Sequence, residues 1–265
     1  MKNNVKKDIR KIDAKTLVLT LLPALWFSLA LASHFKTLDL HLDHTLDKPS
    51  LAHLFGRDYF GRDLLALTLQ ASLMSTAFAL IAVTFTFAFG ILGGSTIALS
   101  PHTPRTTALR ILDFFLSFPS LLLSLAWAAI AGPGYFTLAL SLTIGTLPSF
   151  MRLMYLRASE LLNEDYVTAS QSMGASRWHI TTHHLFPALF SLARVKLPAL
   201  TAQALLAEAT LSFLGVGAPI GRITWGALLA QGKDYLVEAP HIAIATGFPL
   251  FILILCLQLQ SERKA

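Results

Sequence analysis

The 265-residue sequence predicts an all-α membrane protein with about six transmembrane helices. Three observations carry that prediction. Charged residues make up only 14% of the chain, against about 25% in soluble domains. They are also bunched, with no Asp, Glu, Lys or Arg between Asp63 and Arg105, Asp113 and Arg152, Glu208 and Arg222, or Glu238 and Glu262. Finally, a helix crosses the hydrocarbon core with roughly 20 mostly apolar residues, and three of these gaps, all but the one after Glu208, are long enough to hold such spans.

The first span is expected at 16–35, "TLVLTLLPALWFSLALASHF". Ala30-Leu31-Ala32 mimics a leader cleavage site, but a cleaved leader has an apolar core of roughly 7–15 residues and this run is longer. An uncleaved span behind a basic cytoplasmic tail, 1–15, is the expectation. The second span, 68–99, exceeds what a bilayer requires, which implies tilt or an interfacial start. Pro101 and Pro104 mark the turn into a third span at 108–131, since the residue before a proline leaves the helical region. "GPG" at 132–134 then breaks the apolar run, making a hairpin with the fourth span at 135–157. The fifth and sixth spans are placed at 189–215 and 239–259, with 260–265 as a cytoplasmic tail. Asp113 is expected to pair with Arg110 at i−3, and Trp225 to act as an interfacial anchor.

Neither an internal repeat nor a Gly/Ser linker divides the chain, so 16–259 reads as one membrane domain. With the N-terminus inside, the inner segments hold fifteen of the 21 Lys and Arg residues and the outer segments six. That asymmetry satisfies the positive-inside rule and puts both termini in the cytoplasm. The net charge of +6 is accounted for by this bias and not by an aromatic-interleaved patch for nucleic acid. The one cysteine, Cys256, lies in an apolar run, which excludes a disulfide framework and a cysteine metal site.

One segment reads as soluble. In 158–188, which includes "DYVTASQSMGASRWHITTHHLFPAL", Asn163 and Asp165 are candidate caps for a short helix. Gly174 is placed to end that helix, a second helix is expected from Ser176 to about Leu185, and Pro187 to open the fifth span. Tyr166, Val167, Ala169 and Met173 are apolar positions on this projection, and an apolar element outside the membrane calls for a partner. Packing beneath its own bundle is the alternative.

This stretch resembles the cytoplasmic "EAA" loop of ABC-importer permeases. Thr168-Ala169-Ser170 stands where E-A-A would be, Gly174 at the glycine, His184 at the isoleucine, and Phe186-Pro187 at Leu-Pro. Two further stretches are similar to permeases of the dipeptide, oligopeptide and nickel importers, and to the second of their two permease subunits: "HLFGRDYFGRDLLALTLQASLMS" and "EATLSFLGVGAPIGRITWGALLAQGKDYL". The chain departs from that pattern in a short 36–52 segment and in its "QLQSERKA" ending. The resemblance implies the type I importer permease fold. It implies that 158–188 is a coupling loop on which Asp165, Tyr166, Thr168, Ala169, Ser170, Gly174, Ala175 and Pro187 meet a cytoplasmic ATPase. It also implies a sister permease, two ATPase subunits carrying ATP and Mg, an extracytoplasmic solute-binding protein, and a place in the inner membrane.

The remaining chemistry is sparse. No G-x-x-x-x-G-K-[ST] phosphate loop occurs, so energy would come from another subunit, and no cofactor or catalytic role is expected of this chain. "HITTHH" spaces His179 and His183 like metal ligands, but Ile180 occupies the place of a zinc protease's glutamate. Glu208 lies inside the fifth span, where a carboxylate costs roughly 2.5–3.5 kcal/mol. It is therefore a candidate for the translocation path or the permease interface, with a hydrogen-bonded or protonated structural role as the alternative. Arg57, Asp58, Arg62 and Asp63, from the doubled Gly-Arg-Asp, are candidates for contact with a binding protein, with structural anchoring as theirs. Peptide and nickel remain open as solutes, and a stand-alone secondary transporter is the rival class.

Overall fold

The computed structural model describes residues 14–33, 40–217 and 221–264. The expected cytoplasmic tail before residue 14 lies outside them. The described chain is helical, and its one β-type contact is an isolated antiparallel bridge between Arg57 and Asp63.

In order the helices are α1 (Ala14–Ser33), α2 (Leu64–Leu99), α3 (His102–Leu116), α4 (Ser120–Ala131), α5 (Tyr135–Leu162), α6 (Asp165–Ser172), α7 (Arg177–Ile180), α8 (Phe186–Phe213), α9 (Trp225–Asp234) and α10 (Pro240–Lys264). Among the described residues, four helical stretches are long and apolar enough to cross a membrane: α2, α5, the run Arg177–Phe213 and α10. The bent pair α3–α4 makes a fifth, and the apolar part of α1, Val18–Ser33, is shorter than a full span.

Several boundaries differ from expectation, each for a local reason. The third span is not one helix, because α3 and α4 meet at 85°. Pro119 stands at the break, lacking an N–H and restricting Phe118 before it. The fifth span does not open at Pro187 but runs unbroken from Arg177 to Phe213, with a π-turn at Thr181–Leu185 just ahead of that proline. α10 continues to Lys264, so 260–264 extend a helix. Asp113 pairs with Arg152 of α5 at 3.3 Å, not with Arg110. Trp225 is fully buried at the head of the unexpected helix α9, stacked at 6.3 Å on Trp26 of α1, and is no interfacial anchor.

The core lies where α2, α5, α8 and α10 meet, around Val83, Ile91, Phe150, Met154, Leu205 and Trp225. Small residues let α2 and α5 approach closely: a Cβ at Gly94 would stand 2.6 Å from Met154 Cβ and 2.7 Å from the Tyr155 backbone nitrogen. Such close backbone contact is how helices associate where lipid removes the hydrophobic drive. The buried hydroxyls of Thr86 and Thr146 join the same two helices at 2.8 Å.

Candidate functional site

The soluble-looking segment forms a helix–glycine–helix projection. Asn163 ends α5, and its side chain donates back to the Ser159 carbonyl at 3.0 Å. The N-cap position of α6 is occupied by Glu164, with no side-chain cap, so neither Asn163 nor Asp165 caps this helix. α6 ends in a glycine-centred turn. Gly174 has φ +89° and nothing within 4 Å of where a Cβ would sit, so the glycine is needed for its backbone and not for space. Its N–H donates to Gln171 O at 2.9 Å, and that of Ala175 to Ser170 O at 3.1 Å, which closes the last turn. Ser176 then caps α7 by accepting from His179 N at 3.2 Å.

The projection is held on its bundle by a buried cluster of Leu161, Val167, Ile180 and Leu185. The packing alternative is therefore part of the answer: Val167 looks inward, one side of α6 is sealed, and the other side stays open. Thr168, Ala169 and Pro187 are exposed, Ser170 and Ala175 half-buried. Met173 is 82% and Trp178 77% exposed at the tip. Asp165 heads α6 in its first turn, where its charge favours the positive helix end. The Thr168 hydroxyl donates within its own helix to Glu164 O at 3.3 Å, so it offers a partner only a lone pair and a methyl. Tyr166 lies with its ring 5.6 Å from His184, and His179 stacks on His183 at 4.3 Å. Trp178 was missed in the sequence, although a tryptophan in an otherwise polar loop is itself a contact signal.

The doubled Gly-Arg-Asp folds on itself at the other end of α2. Asp58 is 2% exposed; its Oδ1 accepts from the N–H groups of Phe60 and Arg62, and its Oδ2 from Arg62 Nε at 2.8 Å and Nη2 at 2.6 Å. Arg57 donates to Gly61 O at 2.6 Å and lies 2.8 Å from His53 Nε2, whose Nδ1 meets Asp63 Oδ2 at 2.7 Å. Asp63 caps α2 by accepting from Ala66 N at 3.0 Å. Partial burial pushes the Asp63 carboxyl up, but the His53 bond and charge and the Ala66 and Leu65 N–H groups together hold it below its ordinary value. All four charges thus have partners within the loop.

Glu208 has 0% exposure, enclosed by α2, α8 and the head of α9. Ser212 donates to its Oε1 at 2.7 Å, the hydroxyls of Ser75 and Thr224 lie beside the carboxyl, and Oε2 has no hydrogen-bond partner among the described residues. Ser75 also accepts from Trp225 N at 3.0 Å. Glu208 thus touches three elements of this chain, α2, α8 and the head of α9. The same described residues contain no group of three or more His, Cys, Asp or Glu side chains placed to hold a metal ion.

Comparison with known proteins agrees with this architecture. Residues 90–262 match the family described as binding-protein-dependent transport system inner membrane component. A putative peptide transport system permease protein of Brucella suis biovar 1 is 36% identical over 211 residues, covering 80% of this chain and 71% of that one. The probable D,D-dipeptide transport system permease protein DdpC of Escherichia coli K12 is 34% identical over 256 residues, 91% of this chain and 83% of its own length. Among solved structures, a chain of the MetNI methionine ABC transporter, in an inward-facing conformation, matches with TM-score 0.59 at 20% identity. It covers 74% of this chain and 94% of that one, and shows a common fold.

Proposed function

The chain belongs to the binding-protein-dependent transport system inner membrane components, and from that premise we propose that it forms half of the solute path of an importer for peptides. It is a multi-pass inner-membrane permease subunit of an ABC importer, non-catalytic and needing no cofactor of its own. Peptide is the proposed solute because the relatives are peptide permeases by name. The proposed assembly adds a sister permease, two cytoplasmic ATPases that carry ATP and Mg, and an extracytoplasmic solute-binding protein. Both termini are proposed to face the cytoplasm, as the basic bias favours.

The observation that carries this reading is the projection of α6 and α7. One side is sealed by Val167, Ile180 and Leu185, while Met173 and Trp178 stand open with no cover from the described residues. A surface of that kind fits a partner's groove. Because α7 is continuous with the membrane helix through Phe213, a push on the projection is delivered to the span as a rigid lever. ATP-driven closure would then switch the bundle between two packed states.

The test is gentle extraction of the tagged chain from its native membrane, with mass spectrometry of what accompanies it and ATP-dependent uptake of a labelled dipeptide by the same membrane vesicles. Recovery of a second permease and an ATPase, with uptake, supports the proposal. Recovery of the chain alone, from an extract in which other multi-subunit membrane complexes survive, overturns it.

A further inference from the structure

The middle of α8 carries a residue that lipid cannot serve. Gln203 sits deep in the span Arg177–Phe213, is exposed, and has no hydrogen-bond partner among the described residues. An unpartnered amide in hydrocarbon costs several kcal/mol, so this face meets something polar. The opposite side of α8 behaves otherwise: Phe190, Leu197, Pro198 and Leu205 line an apolar groove of ≈ 930 Å³ with α1, α2 and α10, a surface suited to lipid.

Two cavities open on the Gln203 side, and they share Ser149 and Gln203. One, of ≈ 160 Å³, lies between α4, α5 and α8 and includes Ser120, Ser124 and Thr146. The other, of ≈ 170 Å³, reaches down α8 to Lys196, two turns or about 10 Å from Gln203 along the axis. Several lining hydroxyls give their protons to the chain itself: Ser124 donates to Ser141 O at 2.8 Å and Ser149 to Thr146 O at 3.0 Å. That leaves lone pairs for an incoming N–H donor. Gln203 offers both a donor and an acceptor. Lys196 has no anionic partner among the described residues and supplies a cation at the end nearer α6.

We propose that the joined cavities from Ser120 and Ser124 through Ser149 and Gln203 to Lys196 are this chain's lining of the solute path. Gln203 is the mid-depth hydrogen-bonding contact and Lys196 the contact for a carboxylate. The inference rests on the permease reading and deepens it. The lining suits a solute with amide N–H groups and an anionic end. It does not suit a bare divalent cation, which takes carboxylate, imidazole or thiolate ligands: neither cavity has an Asp, Glu, His or Cys in its wall, and Glu208 is enclosed elsewhere.

The test is labelling of variants with one added cysteine in native membrane vesicles holding the complete transporter, with a membrane-impermeant sulfonated maleimide, with and without ATP. The wild-type chain supplies the baseline, since its one cysteine, Cys256, is buried. Gln203→Cys and Ser149→Cys are expected to label at least about tenfold faster than wild type in one nucleotide state, as an exposed thiol does over a buried one. Their labelling is also expected to block dipeptide uptake. Lys196→Gln should raise the half-saturating concentration of a dipeptide by up to about fivefold, the scale of a solvated ion pair, while leaving uptake of a C-terminally amidated dipeptide unchanged. Labelling at the wild-type rate in both states, with the ATPase still co-purifying and uptake intact, overturns the path while leaving the permease reading in place. Loss of the sister permease from Gln203→Cys and Ser149→Cys preparations overturns it in favour of an interface.

Discussion

Asp113 of α3 meets Arg152 of α5 at 3.3 Å, an ion pair between two helices and without hydrogen-bond geometry. It links the first half of the broken α3–α4 span to the long helix that leads into the projection. Both side chains are partly exposed, so the pair is worth about 0.2–1 kcal/mol. A double-mutant cycle with Asp113→Asn and Arg152→Gln, read by thermal unfolding of the solubilised complex, should return a coupling of that size. The same cycle with Arg110→Gln should return none.

Gly174→Val should leave the protein inserted and assembled but impair ATP-driven uptake about tenfold or more. A non-glycine residue at φ +89° costs about 1–3 kcal/mol, and no neighbouring atom is displaced, so the damage is confined to the turn. Gly174→Asn, which tolerates that region better, should retain more uptake. Uptake by the valine variant equal to wild type would count against the coupling role.

At Glu208 the prediction concerns stability. Glu208→Gln keeps an oxygen for the Ser212 hydroxyl and should be tolerated. Glu208→Ala leaves that hydroxyl without its acceptor in a buried site, costing about 1–3 kcal/mol, visible as a lower unfolding midpoint with ATPase association retained at low temperature. Equal midpoints for alanine and glutamine would sink the idea of a structural tie.

Asp58→Ala should destabilise the loop ahead of α2 by about 3–5 kcal/mol, because it strips a near-buried Arg62 of the carboxylate oxygen that accepts from its Nε and Nη2. Asp58→Asn should cost less, since it still accepts from the Phe60 and Arg62 N–H groups. Proteolytic cleavage between residues 50 and 63 in outside-out vesicles is the readout.

The Asp63 carboxyl, held below its ordinary value, sets a pH dependence whose sign is fixed. Its contribution is fully present above the aspartate value of the unfolded chain and is lost as pH falls through the lowered folded value. Asp63→Ser keeps a capping oxygen without the titration. The difference in unfolding midpoint between wild type and this variant should therefore shrink on acidification.

What the sequence determined by itself is what local chemistry decides. Long charge-free runs make membrane helices wherever they occur, and the basic bias sets which side each loop prefers. A glycine after "DYVTASQSM" ends a helix because it alone enters the left-handed region without cost. Pro119 was passed over, because its effect, an 85° bend inside an expected span, was hidden by the unbroken hydropathy around it. Only the tertiary structure decided which partner each polar group takes. Asp113 finds Arg152 across helices, Trp225 is buried against Trp26, and Glu208 is walled in by Ser75, Ser212 and Thr224. These contacts join α3 to α5, α9 to α1 and α8 to α2, and no local pattern in the chain fixes how those elements pack. Hydropathy places a residue in the membrane; packing decides whether it faces lipid, water or another helix.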